Sequence, residues 1–219
     1  MTALAPDQAR RVYDRIGRAQ DWQSFYEDAA TRELVAHAAF DDATTVYELG
    51  CGTGRFAAGL FGEHLPPAAT YLGVDVSPRM IDLASKRLEM WSDRATAELV
   101  DGNGTAPVPD ASVDRFVSNY VFDLLSPEAR RDALDDAHRA LAPGGLLCVT
   151  GLTPADGGLP SWVSRAWKRV WMRWPVLVGG CRPIRVTDAV DPAAWDVRHR
   201  HVVTAWGITS EAVIATPRP

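Results

Sequence analysis

The sequence predicts an α/β protein built on an open, doubly wound and mostly parallel sheet. Three observations carry that expectation. Short apolar runs alternate with stretches of helical period from residue 44 to residue 151. A glycine cluster, Gly50-Cys51-Gly52-Thr53-Gly54, interrupts the first passage from strand to helix, the place where such sheets bind ligands. Near the end, the extended runs Val197 to Ala205 and Thr209 to Ala215 are separated only by Trp206-Gly207-Ile208, which reads as an antiparallel pair.

In chain order, Val12 and Ile16 have the spacing of a short helix that Gly17 can end. Asp21 can cap a second helix, with Trp22, Phe25, Tyr26 and Ala29 at helical spacing, and Asp41-Asp42 break that pattern. Thr45 to Leu49 is a buried strand, Arg55 to Leu60 opens a short helix closed near Gly62, and Tyr71 to Val74 is a second strand. Ser77-Pro78 marks a helix start, a capping hydroxyl with proline at the first helical position. That helix carries Met80, Ile81, Ala84 and Leu88 on one face. Ala97 to Val100 is a weaker strand and Val113 to Asn119 a fourth. The next helix is capped at Ser126, runs to Leu141 and stops at Pro143-Gly144-Gly145, before a strand from Leu146 to Thr150. The organisation expected is one domain in four parts: a helical cap (1–43), a ligand-binding core (44–151), a tryptophan-rich helical insertion (152–195) and the terminal strand pair (196–219).

At 47% hydrophobic and 23% charged residues, the 219-residue chain has a globular composition. A net charge of -5 argues against a strongly electrostatic nucleic-acid binder. Three scattered cysteines with no CxxC argue against a zinc ribbon and fit a reducing compartment. No apolar run is long enough to cross a membrane, and the first residues lack the apolar core of a secretory signal; a cytoplasmic location is expected.

The glycine cluster defines the ligand. Counting from Gly50, a dinucleotide fingerprint needs its third glycine where Arg55 stands; counting from Gly52, it falls on Ala57, which the looser pattern allows, a weak match. The spacing is instead G-x-G-x-G, with Glu48 two residues before the first glycine. A carboxylate there suits a cationic amino group and repels a diphosphate. The following helix offers free N–H groups to a carboxylate. Asp75, ending the second strand, suits ribose hydroxyls. Asp101-Gly102, after the third, can accept from an adenine amine. Adenine, ribose and an amino-acid tail together describe S-adenosyl-L-methionine.

These residues resemble the class I S-adenosylmethionine-dependent methyltransferases, of the small-molecule and quinone-methylating type. The resemblance is close over residues 44–151. It implies a Rossmann-like sheet of seven strands with the last one antiparallel. It implies that Glu48, Gly50, Cys51, Gly52 and Gly54 hold the methionine part, that Asp75 binds the ribose, that Val76 and Met80 lie near the adenine, and that Asp101 and Gly102 form the adenine-side loop. It places Asn119, at the end of the fourth strand, under the reactive methyl. In similar enzymes an N-terminal helical segment lies over the cofactor, which makes Tyr13 a further contact.

Methyl transfer from a sulfonium needs position and desolvation more than a catalytic triad, and no triad is legible. Tyr26, Tyr120, Asp123 and Trp167 are expected to line the site of a small, apolar or aromatic acceptor. Asn119-Tyr120-Val121 lacks the prolines of the Asn-Pro-Pro-Tyr motif of some amino-methylating relatives. Residues 159–174 form a basic amphipathic helix: Val163, Trp167, Val170, Trp171 and Trp174 share one face, Arg165, Lys168, Arg169 and Arg173 the other. Core packing, a lid, a dimer contact and an interfacial helix meeting a lipid-like substrate or an anionic membrane all remain open readings. His199 and His201 alternate on a strand, but no acid or cysteine companion is evident and no metal site is expected. A nicotinamide-dependent oxidoreductase and a cofactor-binding protein without turnover are the rival readings.

Overall fold

In a computed structural model of the chain, the described residues are 24–102, 106–154 and 183–218. Tyr13, Trp167, the first short helix and the amphipathic stretch 159–174 lie outside them.

Seven strands form one sheet in the order β3-β2-β1-β4-β5-β7-β6. They are β1 (Thr45–Leu49), β2 (Thr70–Asp75), β3 (Ala95–Leu99), β4 (Val113–Asn119), β5 (Leu141–Leu152), β6 (Trp195–Ala205) and β7 (Ile208–Pro217). The first five are parallel, and β7 runs antiparallel to both β5 and β6. This is the Rossmann-like sheet the sequence predicts. Among the described residues the α-helices are α1 (Ser24–His37), α2 (Arg55–Glu63), α3 (Pro78–Arg87) and α4 (Pro127–Ala140).

Side chains alternate across a strand, and the central strands are apolar at both phases because both faces are covered. Val46, Val117, Cys148 and Ile214 enter one core with Leu34 of α1, Leu60 of α2 and Ala84 of α3. Their sequence neighbours Tyr47, Phe116, Leu147 and Val213 enter the other with Leu134 and Ala137 of α4. The outer strand β6 is mostly exposed and carries Arg198, His199, Arg200 and His201, charge that discourages pairing at a sheet edge.

Local signals act as expected at the helix starts. Ser77 Oγ accepts from Met80 N–H at 3.3 Å and Ser126 Oγ from Ala129 N–H at 3.1 Å, each with proline behind it. Several boundaries differ, among them β3, which spans Ala95–Leu99 where Ala97 to Val100 is expected. Helix α4 stops at Ala140, because Leu141 is extended and pairs with Val113 of β4. Strand β5 therefore runs straight through Pro143-Gly144-Gly145, which occupies an irregularity in the ladder. The terminal hairpin turns on two residues, Trp206 and Gly207, both at positive φ (55° and 79°), so Ile208 already belongs to β7 and β6 starts two residues earlier than predicted. Two positive values suit the twist of a tight hairpin.

Two buried charges lock the outer parts down. Arg115 of β4 donates to the carbonyls of Ala38 and Ala39, both at 2.6 Å, and so seats the end of α1. Glu211 of β7, fully buried, accepts from Arg200 at 2.8 Å and from the Val186 N–H, tying the segment before β6 to the sheet.

Candidate functional site

The strand order reverses between β1 and β4, and the glycine loop leaves β1 at that switch point. Gly50, Gly52 and Gly54 all have positive φ, 76°, 52° and 71°. At Gly50 the requirement is also spatial, since a Cβ there would overlap the Val121 side chain. The loop is held by backbone: Gly50 and Cys51 N–H both donate to Val74 C=O of β2, at 2.8 and 2.9 Å. Gly54 begins α2, and no side chain caps that end. The helix therefore presents unpaired N–H groups to the loop, which suits a carboxylate.

Asp75 sits half-buried opposite the loop. Its Oδ2 accepts from Gly52 N–H at 3.0 Å and its Oδ1 from Ser77 N–H at 2.9 Å. The carboxylate is thus aimed by backbone donors on two sides. Val100 N–H donates to Asp75 C=O at 3.0 Å, which leads the chain out of β3 so that exposed Asp101 and Gly102 follow on the Asp75 side. Val76 is partly buried, whereas Met80 is buried in the sheet-facing side of α3. Cys51 is buried too, against Gly73, where a Cβ would stand 2.7 Å from that of Cys51.

Glu48 is placed differently from the sequence expectation of a carboxylate facing an amino group. It is 2% exposed and lies beneath the loop. Tyr71 O–H donates to its Oε2 at 2.7 Å and Asn119 Nδ2 to its Oε1 at 3.1 Å; Thr150 O–H in turn donates to Asn119 Oδ1 at 2.9 Å. One residue from each of β5, β4, β1 and β2 thus forms a polar strap across four adjacent strands. Burial pushes the Glu48 carboxyl up to about 7, against the pull of the Tyr71 and Asn119 hydrogen bonds. Asn119 is engaged at both ends of its amide, as part of this strap.

On the far side of the loop, Tyr26 of α1 meets Tyr120 edge-on, ring centroids 5.9 Å apart, over Leu152 of β5. Leu124, Ala205 and Ile208 pack around them. Exposed Phe25 stands edge-on to Tyr26 at 5.0 Å, and Trp206 at the hairpin tip is 81% exposed. Tyr120 follows the strap residue Asn119 at a φ of 55°, a conformation costly for a bulky residue and common at functional sites. Asp123, expected in the pocket wall, is fully buried.

Sequence reasoning missed Glu27, Arg55 and Trp206 here. Arg55 donates to Asp28 at 2.7 Å and stands 3.9 Å from Glu27. Burial pushes the Glu27 carboxyl up to about 7, against Arg55 and with a further push from Asp123. Nothing local in sequence joins these residues. An exposed tryptophan beside a turn glycine was the one legible sign.

The loop and Asp75 fit an adenosyl amino acid: an uncapped helix end for its carboxylate, an aimed carboxylate for its ribose, and an acid-glycine pair beyond β3 for its base. The comparisons agree. The family model for a methyltransferase domain matches residues 46–145. A trans-aconitate 2-methyltransferase from Azoarcus sp. is 32% identical over 189 residues, 84% of this chain and 68% of that one. A carboxy-S-adenosyl-L-methionine synthase from Chromohalobacter salexigens is 33% identical over 105 residues, 48% of this chain; the match spans only 38% of that relative's length. The crystal structure of the [4+2]-cyclase SpnF superposes with a TM-score of 0.73 over 98% of this chain and 97% of that one, at 18% identity, a likeness of fold. The chain belongs to the class I S-adenosylmethionine-dependent methyltransferases.

Proposed function

We propose that this protein transfers a methyl group from S-adenosylmethionine to a small acceptor with an apolar or aromatic body. The cofactor supplies an electrophilic methyl on a sulfonium; the chain's own residues bind, orient and dehydrate. Gly50, Gly52, Gly54 and the start of α2 hold the amino-acid end, Asp75 the ribose, and Val76, Asp101 and Gly102 the base. Glu48 and Asn119 act through the loop by fixing the strand ends beneath it.

The observation that carries the acceptor class is the aromatic corner: Tyr26 and Tyr120 buried together, with Phe25 exposed beside them and exposed Trp206 on the turn that joins Ala205 and Ile208, which pack on the pair. The charged side chains beside it, Glu27, Asp28 and Asp123, are acidic, with Arg55 the cation paired to the first two. That balance favours a neutral or cationic acceptor over a polycarboxylate. Glu27, with its carboxyl near 7, is suited to take the proton of an acceptor that carries one.

Isothermal titration with S-adenosylmethionine, S-adenosylhomocysteine and NAD tests the cofactor half. Binding of the first two at about micromolar Kd, weakened at least about 30-fold by Asp75→Ala through loss of a charge-assisted acceptor, is expected. Binding of neither, or of NAD alone, overturns the reading. A methyl-transfer screen over phenols, amines, quinones and polycarboxylates then tests the acceptor half, and turnover confined to polycarboxylates overturns it. Binding of the cofactor with no turnover across the screen would instead make the chain a sensor or partner subunit.

A further inference from the structure

Three of the chain's five histidines come together away from the cofactor loop. Glu33 and His37 lie one turn apart on α1. His199 and His201 lie two apart on β6 and present to the same side. Glu33 Oε1 is the focus: His199 Nε2 is 2.9 Å from it, His37 Nδ1 3.3 Å and His201 Nδ1 3.9 Å. The His37 and His199 rings stack face to face, centroids 3.9 Å apart at 11°. The acid companion of His199 is thus Glu33, 166 residues away.

We propose that Glu33, His37 and His199 form a binding site for a divalent d-block cation of the zinc type, with His201 in reach of the fourth position, and that the bound ion clamps α1 onto the terminal hairpin. A zinc ion with its ligands at about 2.0–2.1 Å needs tetrahedral ligand atoms roughly 3.3 Å apart. Two of the three pairs already meet that, and all three ligand atoms lie within 4.8 Å of one another. Closing the third pair takes side-chain rotation at the surface; His37 then gives up its 3.0 Å contact with the Glu33 carbonyl. His199 Nε2 is the imidazole nitrogen hydrogen-bonded to Glu33 Oε1; His37 Nδ1 meets the Glu33 carbonyl and His201 Nδ1 stands off at 3.9 Å. A cation among them is bound by all. The imidazole-rich donor set selects zinc, nickel or copper and not magnesium or calcium, which prefer oxygen cages. Because the ligands come from opposite ends of the chain, occupancy stabilises the fold by mass action and holds the helix that carries Tyr26 and Glu27.

The test uses the full chain without a histidine tag. Zinc is titrated in competition with a chromophoric chelator, and melting is followed with zinc and with magnesium. Expected is one zinc per chain with Kd below about 10 μM, a rise in Tm with zinc and none with magnesium. His199→Gln and Glu33→Gln should each weaken zinc at least about 10-fold and remove the rise, as loss of a ligand does. His37→Gln, on an exposed part of α1, provides the same reading should His199→Gln fold poorly. Binding weaker than about 100 μM, or zinc affinity and melting unchanged in all three variants, overturns the proposal. S-adenosylhomocysteine affinity should be the same with and without zinc in each variant, which keeps this result separate from the cofactor reading.

Discussion

The two sides of the glycine loop are built from different materials. Toward β2, the site is backbone: Gly50, Cys51, Gly52 and Ser77 N–H groups are engaged by Val74 C=O and the Asp75 carboxylate, all within 28 residues of chain. Toward β5, it is side chains from four separate segments, Phe25 and Tyr26, Tyr120, Leu152, and the hairpin around Trp206. Backbone donors cannot be altered by substitution short of changing the fold, so the first side suits a ligand that never varies. Side chains on a scaffold vary freely, so the second side is where an acceptor is chosen. The same sheet end therefore carries a fixed half and an adjustable half.

The sharpest break of that contrast is at Gly50. Gly50→Ala places a Cβ at positive φ and against Val121, at about 1–3 kcal/mol of backbone strain. Cofactor affinity should fall at least about 30-fold and Tm should drop, by titration and calorimetry. Gly59→Ala in α2, where a Cβ meets nothing within 4 Å, should instead stabilise by about 0.5–1 kcal/mol. Equal effects of the two would show that the loop has no special demand. On the adjustable side, Trp206→Ala should raise the KM of apolar acceptors about 10-fold, the scale of one buried aromatic contact. Cofactor affinity should stay within about twofold and Tm unchanged, because the ring is exposed. A cofactor-affinity loss there would merge the two halves.

The contrast also explains what was legible. The fixed half is local in sequence: a strand, glycines, a helix, and an acid ending the next strand. Spacing alone exposes it, down to Ser77 as a helix cap. The adjustable half is assembled by topology. Glu27 and Arg55 meet only because α1 packs over the start of α2, and Glu33 meets His199 only because the terminal hairpin returns beside α1. No local pattern encodes such meetings. Glu48 lies between the two cases, marked by its place in sequence and oriented by its neighbours. Sequence marks a carboxylate beside the loop, and only the neighbouring strands, bringing Tyr71 and Asn119, reveal that it points under it.

That buried carboxyl sharpens the contrast through pH. Glu48 titrates near 7 in the folded chain and near 4.5 when exposed. The folded state then holds a proton that the unfolded state has lost, so this group's stabilisation is full below about 4.5 and is lost as pH rises through about 7. Glu48→Gln removes the ionisation and one hydrogen bond of the strap. The variant should be less stable than the parent at pH 5, and the gap should narrow or reverse by pH 8, by thermal melting at both. A gap independent of pH would mean that Glu48 does not titrate in this range.

The smallest effect concerns what holds the adjustable half in place. Arg55 joins α2 to α1 through Asp28 and Glu27, but both Arg55 and Asp28 are more than a third exposed, at 39% and 37%. Pairs so exposed contribute at most about 1 kcal/mol. Ala30, Leu34 and Ala38 of the α1 segment are fully buried in the sheet, and Arg115 ties its end. Arg55→Ala should therefore lower Tm by no more than about 4 °C. It should also move the Glu27 carboxyl further above 7, because the guanidinium is the largest influence opposing its burial. If Glu27 takes the acceptor's proton, the pH–rate profile of Arg55→Ala shifts to higher pH while maximal kcat stays close to that of the parent. A large fall in Tm would make the ion pair, and not the apolar face of α1, the attachment of the acceptor side. An unshifted profile with normal stability would leave Glu27 in place but take it out of the chemistry.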